Sequence, residues 1–352
     1  MGIMKRIDAH CHVIADHPDS RAMLDSLGLR ILDIALGTDP LGKWRSDALN
    51  GSEALVRNVQ AGPAHCGWVT AFDEPRFGDA GWADSVLAGL VRDFARGAVG
   101  VKVWKNIGLT VQSPDGSLVL PDNPVFEPVY TWMENQGKTL VIHVGESLAA
   151  WVPIDPRNPH EQRYLRNPGG RPMAKPGIPS HAELIRARDN IMERHPRLRV
   201  VGCHLGSLEH DIREVAKRLD RYPNFAVDTA ARALDLASQD PGEVRDFFAK
   251  YRGRILWGVD LFSWVTDAYV VKPHSGMLED ERNWSVGELT RRWSEEFAFY
   301  ESTGELELKA WEEKPWRVQG LGLSGKTLSD FYLDAALRWY PGLFGANGTR
   351  KP

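Results

Sequence analysis

Residues 6–14 read Arg6-Ile7-Asp8-Ala9-His10-Cys11-His12-Val13-Ile14. The stretch is short, apolar at its ends and β-branched at its close, which predicts a strand. Side chains at i and i+2 of a strand share a face. His10 and His12 therefore enter one small volume at the strand's end. Two imidazole nitrogens about 2 Å from a common point suit a transition metal, Zn²⁺ above all. An isolated His-x-His pair also occurs with no such role, so the rest of the chain must supply partners.

Seven further strands are expected at Leu29–Leu36, Cys66–Phe72, Gly100–Lys105, Thr139–Val144, Leu198–His204, Phe225–Thr229 and Ile255–Val259. Several are near-continuous Val/Ile/Leu runs, the pattern of parallel strands covered on both faces. Helical stretches separate them, among them Ala83–Arg96, Val125–Gln136, His181–Arg194 and Leu208–Arg221. Ser180 with Glu183 forms a capping box ahead of His181–Arg194. Eight βα units predict an α/β chain folded as a (β/α)₈ TIM barrel, read as one domain over 1–352. A doubly wound open sheet is the competing architecture, and no GxGxxG or Walker-type loop supports it.

Two long stretches interrupt the alternation: 147–179 after the fifth strand and 261–323 after the eighth. The first is rich in Pro, Gly and Arg. The second carries Trp264, Trp284, Trp293, Trp311 and Trp316. Insertions after barrel strands lie on the C-terminal face, so both are expected to shape the mouth.

Composition narrows the function. The chain has 352 residues, 43% hydrophobic and 26% charged, with net charge −4. With no basic stripe, nucleic acid and anionic membrane are excluded as expected partners. No run of 18 apolar residues occurs, so no spanning helix is expected. The three cysteines, Cys11, Cys66 and Cys203, have no disulfide or structural-zinc spacing. With no signal-like apolar segment at the start, a cytoplasmic location is expected.

Further polar residues fall at predicted strand ends: His143 closes Thr-Leu-Val-Ile-His, His204 closes Arg-Val-Val-Gly-Cys-His, and Asp260 closes Ile-Leu-Trp-Gly-Val-Asp. Strand ends one, five, six and eight of a closed barrel converge, so these residues can meet His10 and His12. Buried histidines and a carboxylate need partners, and a shared metal supplies one. Lys102 and Trp104 face the lumen if Val101 and Val103 face the helices.

Asp8-x-His10-x-His12, Ile-His143-x-Gly-Glu146, His204-Leu-Gly206 and Gly-x-Asp260, in that order, resemble the amidohydrolase superfamily. The order and spacing are most similar to its amidohydrolase-related branch, which includes aminocarboxymuconate semialdehyde decarboxylase. The likeness runs over about residues 6–340. Two departures stand out: Ser207 where the family often has a second Gly, and Leu261-Phe262 where a Pro-containing turn is common.

The resemblance implies one divalent metal, Zn²⁺ or else Mn²⁺, held by His10, His12, His143 and Asp260. His204 is then the general base or acid, and Asp260 can share in proton transfer. The implied activity is attack of metal-activated water on the amide, ester or lactone carbonyl of a small acidic substrate. The alternative is non-oxidative decarboxylation of an aromatic or unsaturated carboxylic acid. Metal-free lactone hydrolysis and a non-catalytic binding protein are further alternatives. In dinuclear relatives a carboxylated lysine on the fourth strand bridges two metals, a role open to Lys102; otherwise Lys102 holds a substrate carboxylate or pairs with an acid. Substrate contacts are expected from Lys102, Trp104, Glu146, Arg163 and Arg232. Arg157, His160, Arg163, Tyr164 and Arg166 form a cationic loop able to close over an anion. Relatives are commonly homodimers.

Overall fold

The structure, a computed structural model, describes residues 4–14, 18–34, 37–38, 44–45, 56, 59–60, 62–166, 168, 171–172, 175–264, 286–309 and 315–345. Eight parallel strands form the barrel: β1 (Arg6–Ile14), β2 (Leu29–Ile34), β3 (Cys66–Ala71), β4 (Ala98–Val103), β5 (Thr139–Ile142), β6 (Arg199–Gly202), β7 (Phe225–Asp228) and β8 (Ile255–Leu256). Each pairs with the next in chain order. The chain beyond β8 runs into β9 (Phe262–Trp264), which pairs with the end of β1. Backbone bonds close this seam: Ala9 N–H to Trp257 O (2.8 Å), Asp260 N–H to His10 O (2.7 Å) and His12 N–H to Leu261 O (2.7 Å). The expected (β/α)₈ barrel is the observed fold.

Helices lie outside the barrel: α1 (Pro18–Ser26), α2 (Trp82–Ala95), α3 (Glu127–Asn135), α4 (His181–Arg194), α5 (Ile212–Arg221), α6 (Pro241–Lys250) and α7 (Val286–Glu301). The Ser180–Glu183 capping box is present at α4. α5 starts later than its apolar pattern suggests, because Asp211 caps it by accepting the Arg213 N–H. α7 belongs to the stretch after β8. It is outer wall, with Leu289, Trp293, Phe299 and Tyr300 fully buried. Trp316 is half-buried, whereas Trp284, Trp311 and the Trp264 side chain lie outside the described residues.

The two ends of the lumen differ in chemistry. Ile7, Ala9, Leu32, Val69, Val99, Val141, Val201, Ala226 and Leu256 turn inward and meet Ala335, Ala336, Trp339, Tyr340 and Leu343 from the C-terminal helical segment. That segment seals the N-terminal end. Gly67 makes room for it: a Cβ there would lie 2.3 Å from Leu343 Cδ1. Polar side chains are thereby left to the opposite, C-terminal end of the strands.

Candidate active site

His10, His12, His143, His204 and Asp260 all sit at that end, as the strand order requires. His10, His204 and Asp260 each bring a ligand atom within 4.8 Å of the others. Asp260 Oδ1 lies 3.3 Å from His12 Nε2 and 3.5 Å from His10 Nε2; Asp260 Oδ2 lies 4.0 Å from His204 Nε2. The His143 and His204 rings meet edge-on, centroids 4.3 Å apart. Five residues spread over the chain thus share one pocket.

Partners on the far ring nitrogens fix the tautomers. His12 Nδ1 donates to Ile34 O (2.8 Å), His204 Nδ1 to Ala230 O (2.7 Å) and His10 Nδ1 to Asp228 Oδ2 (2.8 Å). A carbonyl only accepts, so in His12 and His204 the proton lies on Nδ1 and the Nε2 lone pair faces the pocket, while the Asp228 carboxylate holds a proton on His10 Nδ1. His204 is presented by a turn with φ of 57° at His204 and Leu205 and 59° at Ser207. Asp260 is also left-handed, at 64°. Such backbone costs about 1–3 kcal/mol per residue and persists only where surroundings enforce it.

Electrostatics separate the roles. Burial lowers His12, and lowers His143 well below the usual imidazole value with help from the Lys105 and Lys102 cations. Burial and the Arg232 cation hold His204 down to about 3. These are neutral imidazoles. His10 is the exception. Burial and Lys102 push it down, but Asp228 and Cys203 prevail and raise it to about 10. Asp260 stays far below the usual carboxylate range because His12, His10 and His204 outweigh its burial. Two carboxylates, buried Asp228 and half-buried Asp260, therefore flank His10 and demand positive charge between them. Inward lone pairs, an ionised carboxylate and that demand fit a divalent cation.

Asp228 is not among the residues that the sequence motifs single out. It accepts from His10 Nδ1 through Oδ2, and through Oδ1 from the N–H groups of His204 (2.8 Å) and Ala230 (3.1 Å). The available signal was its place as the last residue of Phe-Ala-Val-Asp, another strand end. Lys102 points into the lumen as expected but is fully buried. Its Nζ donates to Cys203 Sγ at 3.0 Å, so a thiol, not an acid, is its partner.

The remaining expected contacts ring the mouth. Trp104 is half-buried beside Lys105, whose Nζ lies 5.8 Å from its ring centre. Lys105 bonds Glu146. Burial raises Glu146, but Lys105, Arg163 and Arg232 outweigh it and hold the group at about 2. Arg163 is exposed on the short helix Glu161–Arg166. Arg232 is buried; its Nη1 donates to Ala231 O (2.7 Å), and its Nε has no partner among the described residues. His160 from the insertion pairs with Asp235 at 3.0 Å, and Tyr164 OH meets Ser147 Oγ at 2.6 Å. Sequence reasoning named His160 and Tyr164 without finding these partners.

An amidohydrolase family model matches residues 7–296. The chain belongs to the amidohydrolase family. Among solved structures it is similar to 4-oxalomesaconate hydratase from Rhodopseudomonas palustris, at 12% identity and TM-score 0.50, covering 96% of this chain and 95% of that one. It is also similar to a 2-pyrone-4,6-dicarboxylic acid hydrolase, so described provisionally, from Pseudomonas putida (16%, TM-score 0.49, 97% and 98%). A third is 2,6-dihydroxybenzoate decarboxylase from Rhizobium (16%, TM-score 0.45, 80% and 95%). At these identities the likeness is one of fold. No curated protein matches the chain.

Proposed function

We propose that the protein is a metal-dependent hydrolase acting on the carbonyl of a small anionic amide, ester or lactone. One observation carries this: His10, His12 and His204, each anchored through Nδ1, turn their Nε2 atoms toward the ionised Asp260. His10, His12, His143 and Asp260 are assigned to hold one divalent ion, Zn²⁺ before Mn²⁺. Bound there, it would supply a Lewis acid and a water acidified to about pKa 7. His204 is assigned to accept the proton at Nε2, since its Nδ1–H is committed to Ala230 O. It then returns the proton to the leaving heteroatom. Arg232 is the cation that most depresses His204. A substrate carboxylate seated on it, with Lys105 and Arg163 at the rim, lies beside the base.

Metal analysis of protein reloaded with Zn²⁺ tests the first half. About one equivalent is expected; below about 0.2 equivalent the assignment fails. A panel of lactones, amides and carboxylated aromatics tests the second. Ring opening or amine release supports hydrolysis. Release of CO₂ instead would assign decarboxylation, with His204 protonating carbon.

A further inference from the structure

Asp8 stands two residues before His10 on β1, meets Trp293 rather than the metal-facing residues, and is fully buried. Its Oδ1 accepts two backbone N–H groups from the two sides of the barrel seam: His10 (3.1 Å) and Val259 (3.2 Å). Its Oδ2 accepts Trp293 Nε1–H at 2.7 Å. The pairing of β1 with β2 shifts register between Asp8 and Cys11, and β8 is regular only over Ile255–Leu256. A carboxylate thus occupies the ladder where regular pairing lapses. The backbones are also close: a Cβ on Gly258 would lie 2.9 Å from His10 Cβ and 3.1 Å from His10 N. The residues on the two sides of this gap carry His10 and Asp260.

From this geometry we infer that Trp293 is a positioning residue for the metal site, acting through the Asp8 carboxylate to set the spacing of the β1 and β8 ligands. Trp293 comes from α7, beyond β8. Its indole has two attachments: a ring buried in the core and one N–H aimed at Asp8. Outer partners of this kind orient ligands, and their loss typically weakens metal binding about 10–100-fold.

The inference rests on the metal-site reading above, and the experiment separates the two. Trp293→Phe keeps most of the ring and removes the N–H. Trp339→Phe, at the sealed end, removes a comparable buried bond, Nε1–H to Gly253 O at 2.9 Å, and serves as control. Asp8→Asn is the second variant, should Trp293→Phe fold poorly. Amide hydrogen exchange on metal-free protein should show faster exchange at His10–His12 and Val259–Asp260 in Trp293→Phe or Asp8→Asn, and parental rates there in Trp339→Phe. Co²⁺ titration followed by visible absorption should show dissociation constants raised roughly tenfold or more by the first two variants and unchanged by the third. Seam exchange that matches the parent, or equals that of Trp339→Phe, overturns the clamp. Parental Co²⁺ affinity in both Asp8→Asn and Trp293→Phe overturns its role at the metal. Failure of the unmodified protein to bind Co²⁺ overturns the metal site itself, and with it that role.

Discussion

His204 illustrates how much support one side chain requires. Its turn is left-handed from His204 to Ser207, and both ends of that turn are tied down. The His204 N–H goes to Asp228 Oδ1 (2.8 Å), Ser207 Oγ donates to Val144 O (2.7 Å), and His181 Nε2 donates to Ser207 O (2.7 Å). His204→Asn should lower turnover by about 10²–10⁴, the usual worth of a general base, while metal content stays near that of the parent. Unchanged turnover would remove the role. Asp228 supports the His10 ring and the His204 backbone at once, so Asp228→Asn should weaken metal binding by about 10–100-fold with little loss of fold; chelator competition measures it. The histidines and the aspartate gathered at the barrel mouth were legible in sequence because each ends an apolar run and a barrel brings such ends together. Asp228 was not legible in its role. It faces other side chains rather than the pocket centre, and nothing in Phe-Ala-Val-Asp distinguishes a hydrogen-bond acceptor from a ligand.

Between elements, the stretch after β5 is fastened at named points. His160 bonds Asp235 through both carboxylate oxygens at 3.0 Å, Tyr164 bonds Ser147, and Trp151 Nε1 donates to Pro179 O (3.0 Å). Losing a half-buried charge-assisted bond costs about 1–3 kcal/mol. His160→Ala should therefore raise the opened population about tenfold, seen as faster tryptic cleavage at the exposed Arg157 and a higher KM for anionic substrate. Cleavage at the parental rate would show that the pair does not hold the loop. Strand positions were readable to within a residue or two because Val, Ile and Leu runs mark buried parallel strands, except that β8 ends at Leu256, three residues before Val259. α7 was less readable. Its long stretch after β8 carries the same Trp-rich composition whether it forms wall or lid, and the burial of Leu289, Trp293, Phe299 and Tyr300 distinguishes the two. Lys102 shows the same limit: alternation gave its direction into the lumen, but its partner, Cys203, lies 101 residues away.

For the molecule as a whole, an apolar sealed end and a polar open end place buried histidines where burial controls their charge. His181 lies on α4 against the β6 turn, beside His210, Arg188 and Trp151. Burial holds it down to about 4, against about 6.5 in an unfolded chain. Between those values the unfolded chain binds a proton that the folded protein refuses. The stability from neutral His181 is therefore complete above about pH 6.5 and is lost as pH falls toward 4, by at most about 3 kcal/mol. Asp8 is raised to about 7 by burial against its hydrogen bonds, and buried Glu296 is raised well above its usual range. These acids have the opposite sign: the folded state holds the extra proton, so their contribution declines as pH rises. The total pH curve mixes both. The difference between parent and His181→Gln isolates one, because Gln does not titrate. Urea unfolding at pH 7.5, 6 and 5 should find the variant less stable than the parent at pH 7.5, having lost the bond to Ser207 O. The gap should narrow by about 1–3 kcal/mol at pH 5 as the parent loses its histidine contribution. A gap that stays constant across the three pH values would mean that His181 titrates alike in both states, and that burial at this turn does not control its charge.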